Sequence, residues 1–97
     1  MYTIVFTPEA IADLRELRKR DMQLIVDEIE AQLSFEPTEV TRNRKRLRTN
    51  QLAEWELRIL GFRVFYDVVT TEIIVKVVAV GRKVGNRLLI RSKEYRL

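Results

Sequence analysis

The chain of 97 residues contains no cysteine and no histidine. The first absence excludes disulfides and thiolate metal sites; the second removes the commonest metal ligand and the commonest general base. Any acid–base chemistry therefore falls to Asp, Glu, Tyr, Lys or Arg. No run of about 18 or more apolar residues occurs, so no membrane span is expected. The opening Met-Tyr-Thr-Ile-Val-Phe-Thr-Pro has neither a basic start nor a cleavage signal, which predicts a cytoplasmic protein that meets no membrane. The length predicts one domain over residues 1–97, and a hydrophobic content of 46% suffices for one core.

Charge is present in quantity and unevenly placed. Residues 9–36 carry eight acidic and four basic groups, for −4, whereas residues 42–48 (R-N-R-K-R-L-R) carry +5 with no acid. Residues 82–97 set Arg82, Lys83, Arg87, Arg91, Lys93 and Arg96 against Glu94 alone, again +5. Two basic patches bracketing a weakly acidic middle predict a polyanionic partner, nucleic acid or an acidic protein; a solvated loop or tail is the plainer reading of either patch by itself.

Tyr2 to Phe6 reads as a short strand closed by Thr7-Pro8-Glu9, in which Thr can cap, Pro fits the first helical position and Glu meets the positive end of the dipole. A helix from Pro8 has Ile11, Leu14 and Leu17 as its apolar positions, with Asp13, Arg15, Glu16 and Lys19 outside. Asp21 is expected to cap a second helix, whose Met22, Ile25, Val26, Ile29 and Leu33 follow helical spacing and which ends before Pro37. Residues 36–53 lack periodicity and read as a basic loop. Three strand-like runs follow, roughly 54–59, 62–69 and 72–80, with Gly61 and Thr70-Thr71 at the turns. Gly81, Gly85 and Asn86 open a loop before Leu88-Leu89-Ile90, a possible last strand. The order βααβββ predicts an α+β fold: a mostly antiparallel sheet of four to five strands with an N-terminal helical hairpin on one face.

The stretch E-W-E-L-R-I-L-G-F-R-V-F-Y-D at 54–67 alternates in a way that matters for function. A hairpin turning at Leu60-Gly61 puts Glu54, Glu56, Arg58 and Arg63 on one face and Trp55, Leu57 and Val64 on the other. Taken alone, the charged set fits either cross-strand salt bridges on a wet sheet face or the floor of a site. Trp55 and Tyr66 are expected in the core. Phe65 falls on the charged face, where it can support Arg63 or stack a base.

Three segments carry a resemblance: F-T-P-E-A-I-A-D-L-R-E-L at 6–17, W-E-L-R-I-L-G-F-R-V-F-Y-D-V at 55–68 and V-G-R-K-V-G-N-R-L-L-I-R-S-K-E-Y at 80–95. Over nearly its whole length the chain resembles the RelE/ParE superfamily of small toxins from prokaryotic type II toxin–antitoxin systems. The resemblance implies a microbial-ribonuclease-like fold. For RelE-type members it implies ribosome-dependent endonucleolytic cleavage of mRNA, with no metal or other cofactor. ParE-type members share the fold and poison DNA gyrase. Both kinds are normally neutralised by a cognate antitoxin, which binds its own operator DNA with the toxin as co-repressor. A chain that has lost its chemistry and survives as an antitoxin-bound co-repressor is a further possibility.

Arg63 matches the arginine that RelE-type toxins use at the scissile phosphate. Lys83 falls where they carry a second functional arginine, Arg82 beside it is a substitute, and Arg58 matches a basic position on the preceding strand. The pattern departs in two places. Glu54 and Glu56 stand where the best-known members have lysines, and Leu88-Leu89 stands where a functional tyrosine is expected, with Tyr95 the nearest tyrosine beyond.

RNA cleavage of this kind needs a base for the 2′-hydroxyl, cations for the phosphorane and an acid for the 5′-oxygen. Arg63 suits the second role, with Arg58, Arg82 and Lys83 completing a cage. Glu56, then Glu54, are the expected bases, and Tyr95 or Lys83 the acid. Contacts to ribosomal RNA are expected from Arg42, Arg44, Lys45, Arg46 and Arg48, with Arg87 and Arg91 extending that surface.

Overall fold

Thr7 caps the first helix as its sequence predicts, its Oγ1 accepting from Ala10 N at 3.1 Å. The computed structural model describes residues 1–97. It runs β1 (Thr3–Phe6), α1 (Pro8–Arg15), α2 (Lys19–Leu33), β2 (Arg44–Arg46), β3 (Trp55–Ile59), β4 (Phe62–Val69), β5 (Ile74–Val84), β6 (Arg87–Ile90) and β7 (Lys93–Tyr95). The strands form one seven-stranded sheet in the order β2-β3-β4-β5-β6-β7, antiparallel throughout, with β1 parallel to the first half of β5. No helix is long and apolar enough to cross a membrane.

The α+β class is as expected, and the sheet is larger than the four to five strands read from the sequence. Two strands account for the excess. β2 is the all-basic Arg44-Lys45-Arg46, inside the stretch expected to be loop, and it becomes a strand by pairing with the edge of β3. β7 pairs with β6 through Leu88↔Tyr95 and Ile90↔Lys93. Neither contains a β-branched residue, so tertiary pairing rather than propensity makes them strands.

Asp21 does not cap α2. The cap is Arg18, without a side-chain hydrogen bond, and Asp21 lies within the first turn, where its charge still favours the helix dipole. The buried stripe of α1 is Ala10, Asp13 and Leu14, with Ile11 at the surface. Asp13, expected outside, is therefore inside. From α2, Ile25, Ile29 and Leu33 join this stripe against Trp55, Leu57, Ile59, Val64, Tyr66, Val75, Val77 and Val80. The Tyr66 hydroxyl, buried in this core, donates to Pro37 O at 2.7 Å.

The opposite face of the sheet has a core of its own. Phe65, Ala79, Leu88, Ile90 and Ala53 are buried together, with Leu47, Leu52 and Tyr95 packed against them. Phe65 is fully buried there, so its ring is closed to a nucleic-acid base.

Gly81, read from the sequence as the start of a loop, lies inside β5, opposite Arg63. A Cβ there would sit 2.6 Å from Leu89 O and 2.7 Å from Ile90 Cγ1. Glycine is thus what lets β6 approach. Gly61→Ala is the natural control, since nothing lies within 4 Å of its Cβ position and its φ is not positive. Gly81→Ala is expected to lower unfolding free energy by about 1–3 kcal/mol through overpacking, with Gly61→Ala near wild type in the same urea titration. Equal midpoints for the two variants would remove the close approach as the reason for Gly81.

Candidate functional site

The β3–β4 hairpin supplies the centre of the site. Its register is Arg58↔Arg63, Leu57↔Val64 and Glu56↔Phe65, so Glu56, Arg58 and Arg63 share the face away from the helices, as the alternation predicted. Gly81 is opposite Arg63 on β5, and Lys83 follows two residues on. Directly opposed Cβ atoms lie about 5 Å apart and diagonal ones about 7–8 Å. The face therefore gathers Arg63, Arg58, Lys83 and Glu56 around a residue with no side chain.

Arg63 is the least ordinary member of the set. It is only 9% exposed. Its Nη1 donates to Leu60 O and to Phe62 O, both at 2.9 Å. No carboxylate lies within ion-pair distance of it. Burial, and then the like charge of Arg58, lower its pKa, while Glu56 opposes the shift. A desolvated guanidinium without a bonded counter-ion is a place where an anion gains most.

The two glutamates are not equivalent. Glu56 is on β3, its side chain 12% exposed, with Oε2 4.0 Å from Lys45 Nζ. Glu54 precedes the strand with a half-exposed side chain, 3.7 Å from Arg46 Nη2. Its backbone N–H donates to Asp67 Oδ1 at 2.8 Å. Both carboxylates thus face basic residues of β2, a strand that sequence reading missed, and Glu56 alone also acts on Arg63.

Arg82 and Lys83, expected as alternatives for one role, leave β5 on opposite faces. Successive residues of β5 point to opposite faces; Arg82 pairs with Phe62 and its guanidinium lies 5.5 Å from that ring's centroid. Both border an open cleft of ≈ 800 Å³ with Gly61, Phe62 and the α1–α2 connection at Glu16, Arg18 and Asp21. Tyr95 shares the face of Arg63 but sits on β7, three strands away, or roughly 14 Å along the sheet at the usual strand spacing. It is half-buried, with Lys93 Nζ 5.9 Å from its ring.

The basic loop residues divide by what they touch. Arg44 is spent internally: its Nη1 donates to Gln32 O at 3.1 Å and to Glu36 O, clamping β2 to the end of α2. Arg46 lies over the Trp55 ring at 5.8 Å. Arg42, Lys45 and Arg48 are exposed. In the C-terminal patch, Arg87 donates to Glu94 Oε1 at 2.9 Å. Arg91 pairs with the buried Asp13 at 3.0 Å and reaches Val78 O, so both are committed to neighbouring groups. No three carboxylates converge in a way that would hold a metal ion.

Leu60 and Asp13 were not singled out by sequence. The hairpin's left-handed residue is Leu60, φ 52°, and not Gly61. Nothing in the sequence signals that, because glycine is the residue expected to take that conformation.

The sequence matches the family described as ParE toxin of type II toxin–antitoxin system, parDE, over residues 4–85. No curated protein matches it. Among solved structures, the toxin–antitoxin complex RelBE2 from Mycobacterium tuberculosis contains a chain 28% identical, with a TM-score of 0.73 and coverage of 84% of this chain and 98% of that one. The isolated RelE toxin of E. coli is 20% identical, with a TM-score of 0.67 over 87% and 86% of the two chains. A chain of the archaeal RelE–RelB complex from Pyrococcus horikoshii OT3 is 17% identical, with a TM-score of 0.69 over 88% and 97%; these last two are likenesses of fold. The family match takes in both helices, the β3–β4 hairpin and the whole of β5, and the chain belongs to the ParE toxin family of type II toxin–antitoxin systems, within the RelE/ParE superfamily.

Proposed function

We propose that the toxin acts as RelE-type members do, cutting mRNA on the ribosome. The observation that carries this reading is Arg63, a desolvated guanidinium with no carboxylate bonded to it, beside Arg58, Lys83 and Glu56 on one sheet face. In this mechanism Arg63 and Arg58 stabilise the charge that builds on the phosphorane. Glu56 takes the 2′-hydroxyl proton. Lys83, nearer than Tyr95 by two strands, is the better placed acid for the 5′-oxygen. Exposed Arg42, Lys45 and Arg48 supply sequence-independent contacts to ribosomal RNA. A cognate antitoxin neutralises the toxin, in keeping with the complexes in which its relatives were solved, and brings it to operator DNA.

A second reading is gyrase inhibition without hydrolysis. Both glutamates lie near basic residues of β2, which leaves an anion-binding face without a free base, and the matching family description is ParE. In-cell RNA mapping after brief induction separates the two. Cuts within codons of translated mRNA are expected; DNA breaks with intact mRNA would transfer the function to gyrase, and neither lesion would leave antitoxin-bound co-repression. Glu56→Gln is expected to slow single-turnover cleavage by about 10²–10⁴-fold if it is the base. An unchanged rate would move that role elsewhere.

A further inference from the structure

Arg63 has five N–H donors, and the fold uses them unevenly. Nη1 carries two, and both go to backbone carbonyls, Leu60 O and Phe62 O at 2.9 Å each. The remaining three, on Nε and Nη2, donate to no protein group, yet no fully buried side-chain nitrogen or oxygen lacks a partner. Nε and Nη2 therefore reach solvent, although the residue as a whole is only 9% exposed.

The cause lies at the hairpin turn. Leu60 holds a left-handed backbone, φ 52°, and is 76% exposed as a residue. Its side chain has little packing to gain there, and an L-residue other than glycine resists this conformation. What the conformation does achieve is to aim the Leu60 carbonyl back at the guanidinium three residues on. With Phe62 O on the second hydrogen, Nη1 is fixed and the plane of the group is fixed with it.

We infer that Leu60 is a positioning residue for Arg63, and that the Nε–Nη2 edge so presented is the one that grips a phosphate, side-on and with two hydrogen bonds. The end-on mode, through Nη1 and Nη2 together, is closed because the Nη1 hydrogens are already used. A planar fork with one edge anchored loses little freedom on binding. The inference rests on the reading that Arg63 meets a phosphate, but not on cleavage.

The test uses the full chain with ¹⁵N-labelled arginine and inorganic phosphate or a short single-stranded RNA as probe. On titration the Arg63 Nε and Nη2 resonances are expected to shift while Nη1 stays put. Leu60→Gly, which accepts a positive φ, should keep the response. Leu60→Val, whose β-branch resists it, should bind at least about tenfold more weakly, the equivalent of one hydrogen bond to a charged group, with the backbone amide spectrum otherwise retained. Phosphate that perturbs Nη1 or only Arg58 and Lys83, or a folded Leu60→Val that binds as wild type, would overturn the assignment. If Leu60→Val unfolds, the wild-type titration still decides which edge is used. Because no ribosome is involved, a normal Nε response with no mRNA cuts sinks the ribonuclease reading alone, and cuts without an Nε response sink this inference alone.

Discussion

Arg63→Ala is expected to abolish growth arrest on induction, while its thermal midpoint stays within a few degrees of wild type and it still co-purifies with antitoxin. Truncation removes a cation from the centre of the face and leaves Leu60 O and Phe62 O at a turn, where water can replace the lost donor. Removing one preorganised group from a developing oxyanion costs about 10²–10³-fold in rate, enough to silence a toxin. Arg63→Lys is not expected to rescue it, because a single ammonium cannot hold two carbonyls and offer a second edge to phosphate. Arg58→Ala should fall between, since Arg58 is exposed and paired only by register. Growth arrest by a folded Arg63→Ala protein would end the assignment of Arg63 to the phosphate.

The path from sequence to this site shows which signals travel. The Thr7-Pro8-Glu9 start, the α2 stripe and the β3–β4 alternation are local, and each matches the fold. Strand parity put Glu56, Arg58, Arg63 and Phe65 on one face correctly. Parity says nothing of whether a face is wet. Here β6, β7 and the segment through Leu47, Leu52 and Ala53 bring a second cluster onto it, which buries Phe65. β2 was illegible because three basic residues carry no strand signal, and only pairing with β3 reveals the Lys45↔Glu56 register. The partners of Arg44 and Arg91 are remote in sequence, Gln32 O and Asp13, so composition alone does not reveal that both guanidiniums already have partners within the chain. Leu60 was hidden by Gly61, the better candidate by propensity.

The second large effect belongs to Asp13, and its logic follows from the shape of β5. That strand pairs with β1 over Ile74–Val77 and with β6 over Arg82–Val84, leaving a gap between them on the same edge. Side chains close the gap. Asp13 Oδ2 accepts from Val80 N at 3.0 Å, Thr7 Oγ1 donates to Val78 O at 3.3 Å, and Arg91 Nη2 reaches Val78 O while its Nε holds Asp13 Oδ1 at 3.0 Å. The ion pair stands in for a missing stretch of strand and latches α1 to the β6–β7 turn, where Arg91 and Ser92 both have left-handed backbone, φ 51° and 63°. Asp13→Ala leaves the Val80 N–H without an acceptor and takes the carboxylate from Arg91 Nε, so a loss of about 1–3 kcal/mol in urea unfolding is expected. Asp13→Asn keeps an acceptor for Val80 N and should lose clearly less. The pH dependence has an unusual sign for a paired carboxylate. Burial outweighs Val80 and Arg91, so the folded pKa is raised above 3.8, and the folded state holds the proton longer than the unfolded chain does. Stability contributed by protonated Asp13 is present below that value and is lost as pH climbs toward the raised one. Wild type minus Asp13→Asn unfolding free energy should therefore decline with rising pH through that window. A difference that grows with pH instead would mean that Arg91 and Val80 outweigh burial, and the Asp13–Arg91 pair would then stabilise the fold through its charge as well as its geometry.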